Sequence, residues 1–273
     1  MRRLPAQALK TLLLNSARIE LWPADLLPAR SNADARALAG AHTVLRRKRD
    51  GRYLAAVSAH AVRPLVPGLP RESGLDEAWD ALDRLEGATR GLHADAQGVL
   101  PLHALQEHLH GLGLDDTYGE RSGLALMAEP AALVFAGRDR YRRPLWLTAG
   151  AARAWLAMQR AAHAEGVVLE AISGYRSHDY QLGIFARKLA RGQTMEQILT
   201  VNAAPGYSEH HGGRALDIGT PGEPPAEESF EATPAFAWLA RHAGGFGFAM
   251  SYPRDNPHGI VYEPWHWCYR AAA

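Results

Sequence analysis

The chain has 273 residues, of which 47% are hydrophobic and 22% are charged. This ordinary globular composition excludes a collagen-like, disordered or coiled-coil architecture for the whole chain, and the length allows one large domain or two small ones. The 30 Lys and Arg residues nearly balance the 29 Asp and Glu residues, so a net charge of +1 predicts no nucleic-acid partner and no attraction to an acidic membrane.

The N-terminal segment does not have the pattern of a secretory leader. After Met1–Arg3 only Leu12–Leu14 is continuously apolar, whereas a leader needs ~7 to 15 apolar residues. We therefore predict a cytoplasmic location for the sequence as it stands, or a periplasmic or extracellular one if a leader is missing. No apolar run approaches the ~18 to 20 residues of a transmembrane segment. A short amphipathic helix is predicted instead, with its apolar face formed by Leu4, Leu9, Leu12 and Leu13.

The first 120 residues are predicted to form a small α/β accessory region of unknown role. Residues 42–59 are predicted to form a hairpin around Asp50-Gly51, because Asp-Gly is a favoured tight-turn dipeptide. Helical spacing of apolar residues follows over 75–85, with Gly87 where a C-cap belongs. A second helix is predicted over 101–110, and no internal repeat is present.

A polar, glycine-rich stretch over 111–121 predicts the boundary between the accessory region, 1–120, and a second domain, 121–273. Mixed helices and short strands without regular βαβ alternation predict an α+β fold for this second domain. Its single cysteine, Cys268, excludes an intrachain disulfide. The predicted strands are 132–136, 144–147, 167–172, 246–252 and 259–269, and the predicted helices are 148–164, 177–191 and 233–244.

Two imidazoles and one carboxylate in the second domain have the chemistry of a zinc site. His210, Asp217 and His266 suit Zn²⁺ and leave a fourth position open for water, which is typical of a catalytic rather than a structural metal. Asp217 also lies in an apolar predicted strand, where a carboxylate is costly to bury unless it is paired or metal-bound.

Glu263 precedes the ligand His266 by three residues, so in an ideal strand the two side chains face opposite ways. Pro264 lies between them and favours polyproline-like backbone, in which positions three apart point the same way. The sequence therefore predicts that the Glu263 carboxylate and the His266 imidazole converge on one metal.

The candidate site residues occur in the same order and spacing as a known sequence motif. The chain resembles the zinc D-Ala-D-Ala carboxypeptidase family of the VanY type, peptidase family M15, over roughly residues 121–270. The family motif is Ser-x-His-x-x-Gly-x-Ala-x-Asp followed by Glu-x-x-His, and residues 1–120 show no such resemblance. The matching positions are Ser208, His210, Gly213, Ala215, Asp217, Glu263 and His266.

The resemblance implies the small α+β fold shared with the hedgehog signalling domain, and removal of the C-terminal D-alanine from peptidoglycan stem peptides or muropeptides. It implies that His210, Asp217 and His266 hold Zn²⁺. It further implies that Glu263 takes a proton from zinc-bound water and passes it to the leaving amine.

The same resemblance assigns a substrate side to the site. Arg176 is expected to stabilise the oxyanion of the tetrahedral intermediate or to bind a substrate carboxylate. Gln181, Ser208 and Tyr252 are expected to contact the terminal D-alanine. Ser208 also suits a simple capping role, and His211 is expected to point away from the metal.

Several functions remain open on the residues alone. D,D-carboxypeptidase, L,D-carboxypeptidase and phage-type peptidoglycan endopeptidase activity share these motifs. A non-catalytic, zinc-stabilised module that binds cell-wall peptides is the alternative of another class, although such a module has no need for both Glu263 and Arg176. The oligomeric state is not encoded in these patterns.

Overall fold

The computed structural model describes residues 11–88, 98–102 and 105–270. The chain divides into two compact units, the first formed by Met1–Pro101 with Pro130–Phe135 and the second by Leu102–Glu129 with Ala136–Ala273. The boundary predicted at residue 120 lies inside the second unit. The polar, glycine-rich stretch therefore lies within that unit rather than between the two units.

The first unit is built on an antiparallel sheet with strand order β5-β4-β3-β2-β1-β6. The predicted hairpin is confirmed, since β3 and β4 pair on either side of Asp50-Gly51. Helix α2 packs Ala78 and Leu82 onto the apolar residues of the sheet. The elements are β1 (Leu12–Asn15), β2 (Ile19–Pro23), α1 (Asn32–Leu38), β3 (Thr43–Arg47), β4 (Tyr53–Val57), β5 (Val62–Pro64), α2 (Leu75–Ala88) and β6 (Ala132–Arg138).

Two local predictions in this unit are wrong. Leu12 and Leu13 lie in β1 rather than in a helix, because β1 is held between β2 and β6, with Leu13 fully buried opposite Leu133. Leu4 and Leu9 of that predicted helix lie outside the described residues. Gly87 does not cap α2, which continues to Ala88.

The second unit combines a four-stranded antiparallel sheet, in the order β10-β11-β9-β8, with six helices among the residues the structure describes. The predicted α+β class is confirmed. No described helix is both long and apolar enough for a bilayer crossing. The elements are α3 (Leu105–Gly111), α4 (Tyr118–Ser122), β7 (Pro144–Leu147), α5 (Ala149–Ala164), β8 (Glu170–Ser173), α6 (His178–Ala190), α7 (Met195–Leu199), β9 (Ala215–Gly219), α8 (Pro234–His242), β10 (Phe248–Met250) and β11 (His266–Tyr269).

Helix starts in this unit follow the sequence closely, whereas the late strands do not. Ser177 accepts a hydrogen bond from the Tyr180 amide, and Thr233 accepts one from the Phe236 amide, so both N-caps form as the residue types predict. The strand predicted over 259–269 is confined to β11, because its first half is a loop that leads into the cleft.

Residues 105–124 pack beneath the loop that carries the predicted site. Leu105 and Tyr118 are buried in one apolar cluster with Ala204, and the Tyr118 hydroxyl accepts a hydrogen bond from the Ala204 amide at 3.2 Å. Gly206 follows with a φ of +88°, and a Cβ there would lie 2.2 Å from Leu105 Cδ2. Only glycine fits this backbone conformation at this distance from α3.

Leu109 on α3 tests this packing, because its side chain is 7% exposed in the same cluster. We expect Leu109→Ala to lower the free energy of unfolding by about 2–5 kcal/mol, the usual cost of lost burial and a cavity. Leu156→Ala is the matched control, since Leu156 is 41% exposed, and it should change stability by less than about 0.5 kcal/mol. Equal urea midpoints for the two variants would contradict the assignment of α3 to this core.

Candidate functional site

Three buried side chains meet at the centre of the second unit. Strand pairing places His266 directly opposite Asp217 on neighbouring antiparallel strands, β11 and β9. His210 lies in the short 3₁₀ turn Glu209–Gly212 that precedes β9. The ligand atoms of the three residues all lie within 4.8 Å of one another. The structure therefore brings together the three residues that the sequence proposes as metal ligands.

The His210 ring is oriented for coordination. Its Nδ1 lies 2.8 Å from the Gly174 carbonyl oxygen, so Nδ1 carries the proton and donates to that carbonyl. Its Nε2 lies 3.3 Å from Asp217 Oδ2. Burial lowers the pKa of His210 despite the neighbouring Asp217 carboxylate. A neutral imidazole with its lone pair facing Asp217 is the form that a metal requires.

The His266 ring lies between two carboxylates. Its Nδ1 is 3.2 Å from Asp217 Oδ1, and its Nε2 is 3.0 Å from Glu209 Oε2. Burial by itself would raise the pKa of Glu209, but hydrogen bonds from His266 and Ser251 and the charge of Arg270 lower it to about 2. The sequence analysis missed Glu209, whose only local signal is an acid directly before a candidate ligand.

Glu263 reaches the site by a different route from the one predicted. Glu263 and His266 form a turn in which the His266 amide donates to the Glu263 carbonyl at 3.1 Å. The predicted polyproline-like backbone is wrong, although the predicted convergence is found, with Glu263 Oε2 3.8 Å from His266 Nδ1. Burial, reinforced by the Asp217 and Glu209 carboxylates, raises the pKa of Glu263 to about 7.

Arg176 lies on the other side of Asp217, with Nη2 3.8 Å from Asp217 Oδ2. Its Nη1 donates to Gln181 Oε1 at 3.0 Å, and the Gln181 amide nitrogen in turn donates to the Ala203 carbonyl at 2.9 Å. Both ends of the buried Gln181 amide are thus occupied by the protein. Gln181 therefore orients the Arg176 guanidinium.

All eight residues proposed from the sequence line one cleft of about 350 Å³. Ser208 and Tyr252 are part of its wall, and the Tyr252 ring centroid lies 4.8 Å from that of His266. Lys188 also lines the cleft, although no motif in the sequence points to it. Its pKa is lowered by burial and by the nearby Arg176 charge. No acidic side chain among the described residues pairs with Lys188.

The neighbouring His211 is structural. Its Nδ1 lies 2.6 Å from the Arg176 carbonyl oxygen, and its Nε2 accepts from the Gly206 amide at 3.0 Å. Its ring also contacts His178 edge to face. Because both ring nitrogens are used by backbone groups, His211 joins the Arg176 loop to the loop before His210.

Comparison with known proteins gives one family match. A family model described as VanY, D-alanyl-D-alanine carboxypeptidase, matches residues 144–272. YodJ of Bacillus subtilis, named as a candidate carboxypeptidase, is 38% identical over 121 residues, which cover 42% of this chain and 43% of YodJ. The chain thus spans less than half the length of this curated relative.

Two solved structures are similar. The LdcB LD-carboxypeptidase is 34% identical, covers 52% of this chain and 69% of its own, and has a TM-score of 0.48. A variant of the vancomycin resistance D,D-pentapeptidase VanY, in complex with Zn(II), is 31% identical, covers 45% of this chain and 72% of its own, and has a TM-score of 0.38.

The bridging role of His211 predicts a stability effect. His211→Ala leaves the Gly206 amide and the Arg176 carbonyl without their partners in a buried place. We expect a loss of at least about 2 kcal/mol in the free energy of unfolding, measured by urea denaturation. His163→Ala, at an exposed helix position, is the control and should leave stability nearly unchanged. Wild-type stability of the His211 variant would refute the bridge.

Proposed function

Since the chain belongs to the VanY-type D-alanyl-D-alanine carboxypeptidase family, peptidase family M15, we propose that it is a Zn²⁺-dependent carboxypeptidase. Its proposed substrates are peptidoglycan stem peptides, from which it removes the C-terminal D-alanine. The observation that carries the proposal is the meeting of His210, Asp217 and His266 within 4.8 Å, beside Glu263 in one cleft.

The donor set fits zinc. Two imidazole nitrogens and one carboxylate oxygen are the ligands of many catalytic zinc sites, which keep a further position open. His210, Asp217 and His266 would hold the ion, and all three are buried, so water competes poorly for these ligands. Bound there, Zn²⁺ supplies a Lewis acid that polarises the scissile carbonyl and lowers the pKa of a water molecule.

Glu263 is the proposed general base and acid. Its carboxylate is buried at the edge of the ligand cluster, with Oε2 3.8 Å from His266 Nδ1, so it lies within reach of a proton on a water molecule at the proposed metal position. Oε2, the oxygen nearer His266, takes the proton of the attacking water and then passes it to the nitrogen of the departing alanine. A module that only binds peptide has no use for this carboxylate.

Two positively charged side chains line the cleft, and each suits a negatively charged group of a carboxypeptidase substrate. The Arg176 guanidinium, fixed by Gln181 and next to Asp217, is placed to stabilise the negative oxygen of the tetrahedral intermediate. Lys188 lines the same cleft and has no acidic partner in the part of the chain that the structure describes, which suits it to a free carboxylate of the peptide. Ser208 and Tyr252 remain proposed contacts to the terminal residue.

Replacing Glu263 separates catalysis from metal binding. We expect Glu263→Gln to keep wild-type zinc stoichiometry by elemental analysis and to lower turnover by ~100-fold or more, because the proton acceptor is lost. Asp217→Ala is the companion variant, and it should lose the metal itself. Unchanged turnover in Glu263→Gln would remove Glu263 from the mechanism, and full zinc occupancy in Asp217→Ala would refute the ligand set.

Substrate specificity is tested by digesting purified muropeptides with the full-length protein and analysing the products by mass spectrometry. We expect pentapeptides to lose one alanine and tetrapeptides to remain intact, as a D,D-carboxypeptidase requires. Loss of alanine from tetrapeptides would indicate an L,D-carboxypeptidase, and cleavage within the stem or cross-link an endopeptidase. Zinc-loaded protein that binds muropeptides without any product would identify a binding module.

A further inference from the structure

We infer that Glu209 is a positioning residue, which fixes the orientation and tautomer of the His266 ring from the side away from the cleft. The inference rests on the proposed zinc site. It concerns how one ligand is held, and Glu209 itself is not expected to touch substrate. In agreement with this, Glu209 is absent from the lining of the cleft that contains His266.

The contacts of the His266 ring define which nitrogen is available. Nε2 lies 3.0 Å from Glu209 Oε2, whereas Nδ1 faces Asp217 Oδ1 at 3.2 Å. A neutral imidazole carries its proton on the nitrogen that has the better acceptor. Because Asp217 belongs to the ligand cluster and Glu209 does not, Nδ1 is the nitrogen that faces the proposed metal position, and Nε2 is the one that donates its proton to Glu209 Oε2.

Glu209 is itself held by two further donors. Ser251 Oγ donates to Glu209 Oε2 at 2.5 Å, and Arg270 Nη2 donates to Oε1 at 2.5 Å. Arg270 is anchored in turn, since its backbone amide donates to the Gly247 carbonyl at 2.7 Å. With both oxygens engaged and 8% of the residue exposed, the carboxylate has one orientation to offer His266.

The two imidazole ligands are thus supported by different chemistry. The His210 ring donates to the backbone carbonyl of Gly174, so its hydrogen-bond acceptor is uncharged and belongs to the main chain. His266 donates to a carboxylate, which raises the basicity of the ring and its strength as a ligand. Glu209, Ser251 and Arg270 also line a separate cavity of about 160 Å³. This placement allows Glu209 to act on the metal ligand without blocking substrate.

The test is the zinc affinity of full-length variants, measured by competition with a chromophoric chelator in the absence of substrate. We expect Glu209→Ala to weaken zinc binding by ~10- to 100-fold, the usual effect of losing such a partner. Glu209→Gln keeps an oxygen that accepts from Nε2, so it should recover part of the affinity and lie between Glu209→Ala and wild type.

Glu129→Gln is the matched control, because Glu129 is another buried carboxylate beside a histidine. Its Oε1 lies 3.5 Å from His178 Nδ1, and its Oε2 accepts from the Tyr175 hydroxyl at 2.6 Å. His178 belongs to no ligand cluster found among the described residues. We expect Glu129→Gln to lower the urea midpoint of the metal-free protein while keeping wild-type zinc affinity.

The outcomes separate this inference from the proposed function. Wild-type zinc affinity in Glu209→Ala, or an equal loss of affinity in Glu129→Gln, would overturn the positioning role while leaving the zinc site in place. Failure of the wild-type protein to bind zinc would overturn the proposed function, and this inference with it. A graded loss, from wild type through Gln to Ala with an unaffected Glu129 control, supports the role of Glu209.

Discussion

The antiparallel register between β9 and β11 is the constraint on which the site depends. It sets Asp217 opposite His266, although 49 positions separate them along the chain. Side chains alternate across a strand, so a slip of one residue would turn one of the two ligands to the other face of the sheet. His210 joins them from the turn before β9, where its ring is fixed by the Gly174 carbonyl. The proposed metal position is thus a consequence of strand pairing and one backbone hydrogen bond.

Around this register, the buried charges compensate one another. Asp217 is buried between two imidazole rings, with Oδ2 3.3 Å from His210 Nε2 and Oδ1 3.2 Å from His266 Nδ1. Glu209 is kept ionised by His266, Ser251 and Arg270. Glu263 has weaker compensation, so burial raises its pKa. The three buried carboxylates of this cluster therefore have different environments, which suit Asp217, Glu209 and Glu263 to the separate roles proposed for them.

Local sequence signals were reliable where the stabilising contacts are themselves local. The Asp50-Gly51 hairpin and the Ser177 N-cap depend on residues a few positions apart, and both are found. Leu12 and Leu13 belong to a segment with helical spacing of its leucines, but their strand pairs with Ala132–Val134, far along the chain. Its burial between two strands outweighs the weak helical preference of a short segment. The packing of α3 against the loop before His210 was hidden for the same reason.

The sequence by itself determined the family of this protein, because His210, Asp217, Glu263 and His266 stand in the order of the family motif. Only the tertiary structure decided how they are held. The hydrogen bond from the Gln181 amide to the Ala203 carbonyl and the support of His266 by Glu209 depend on partners that lie far along the chain. Arg270 and Ser251, which fix Glu209, lie 61 and 42 positions away from it. Spacing along the chain carries no information about such contacts, since they exist only after the strands have paired.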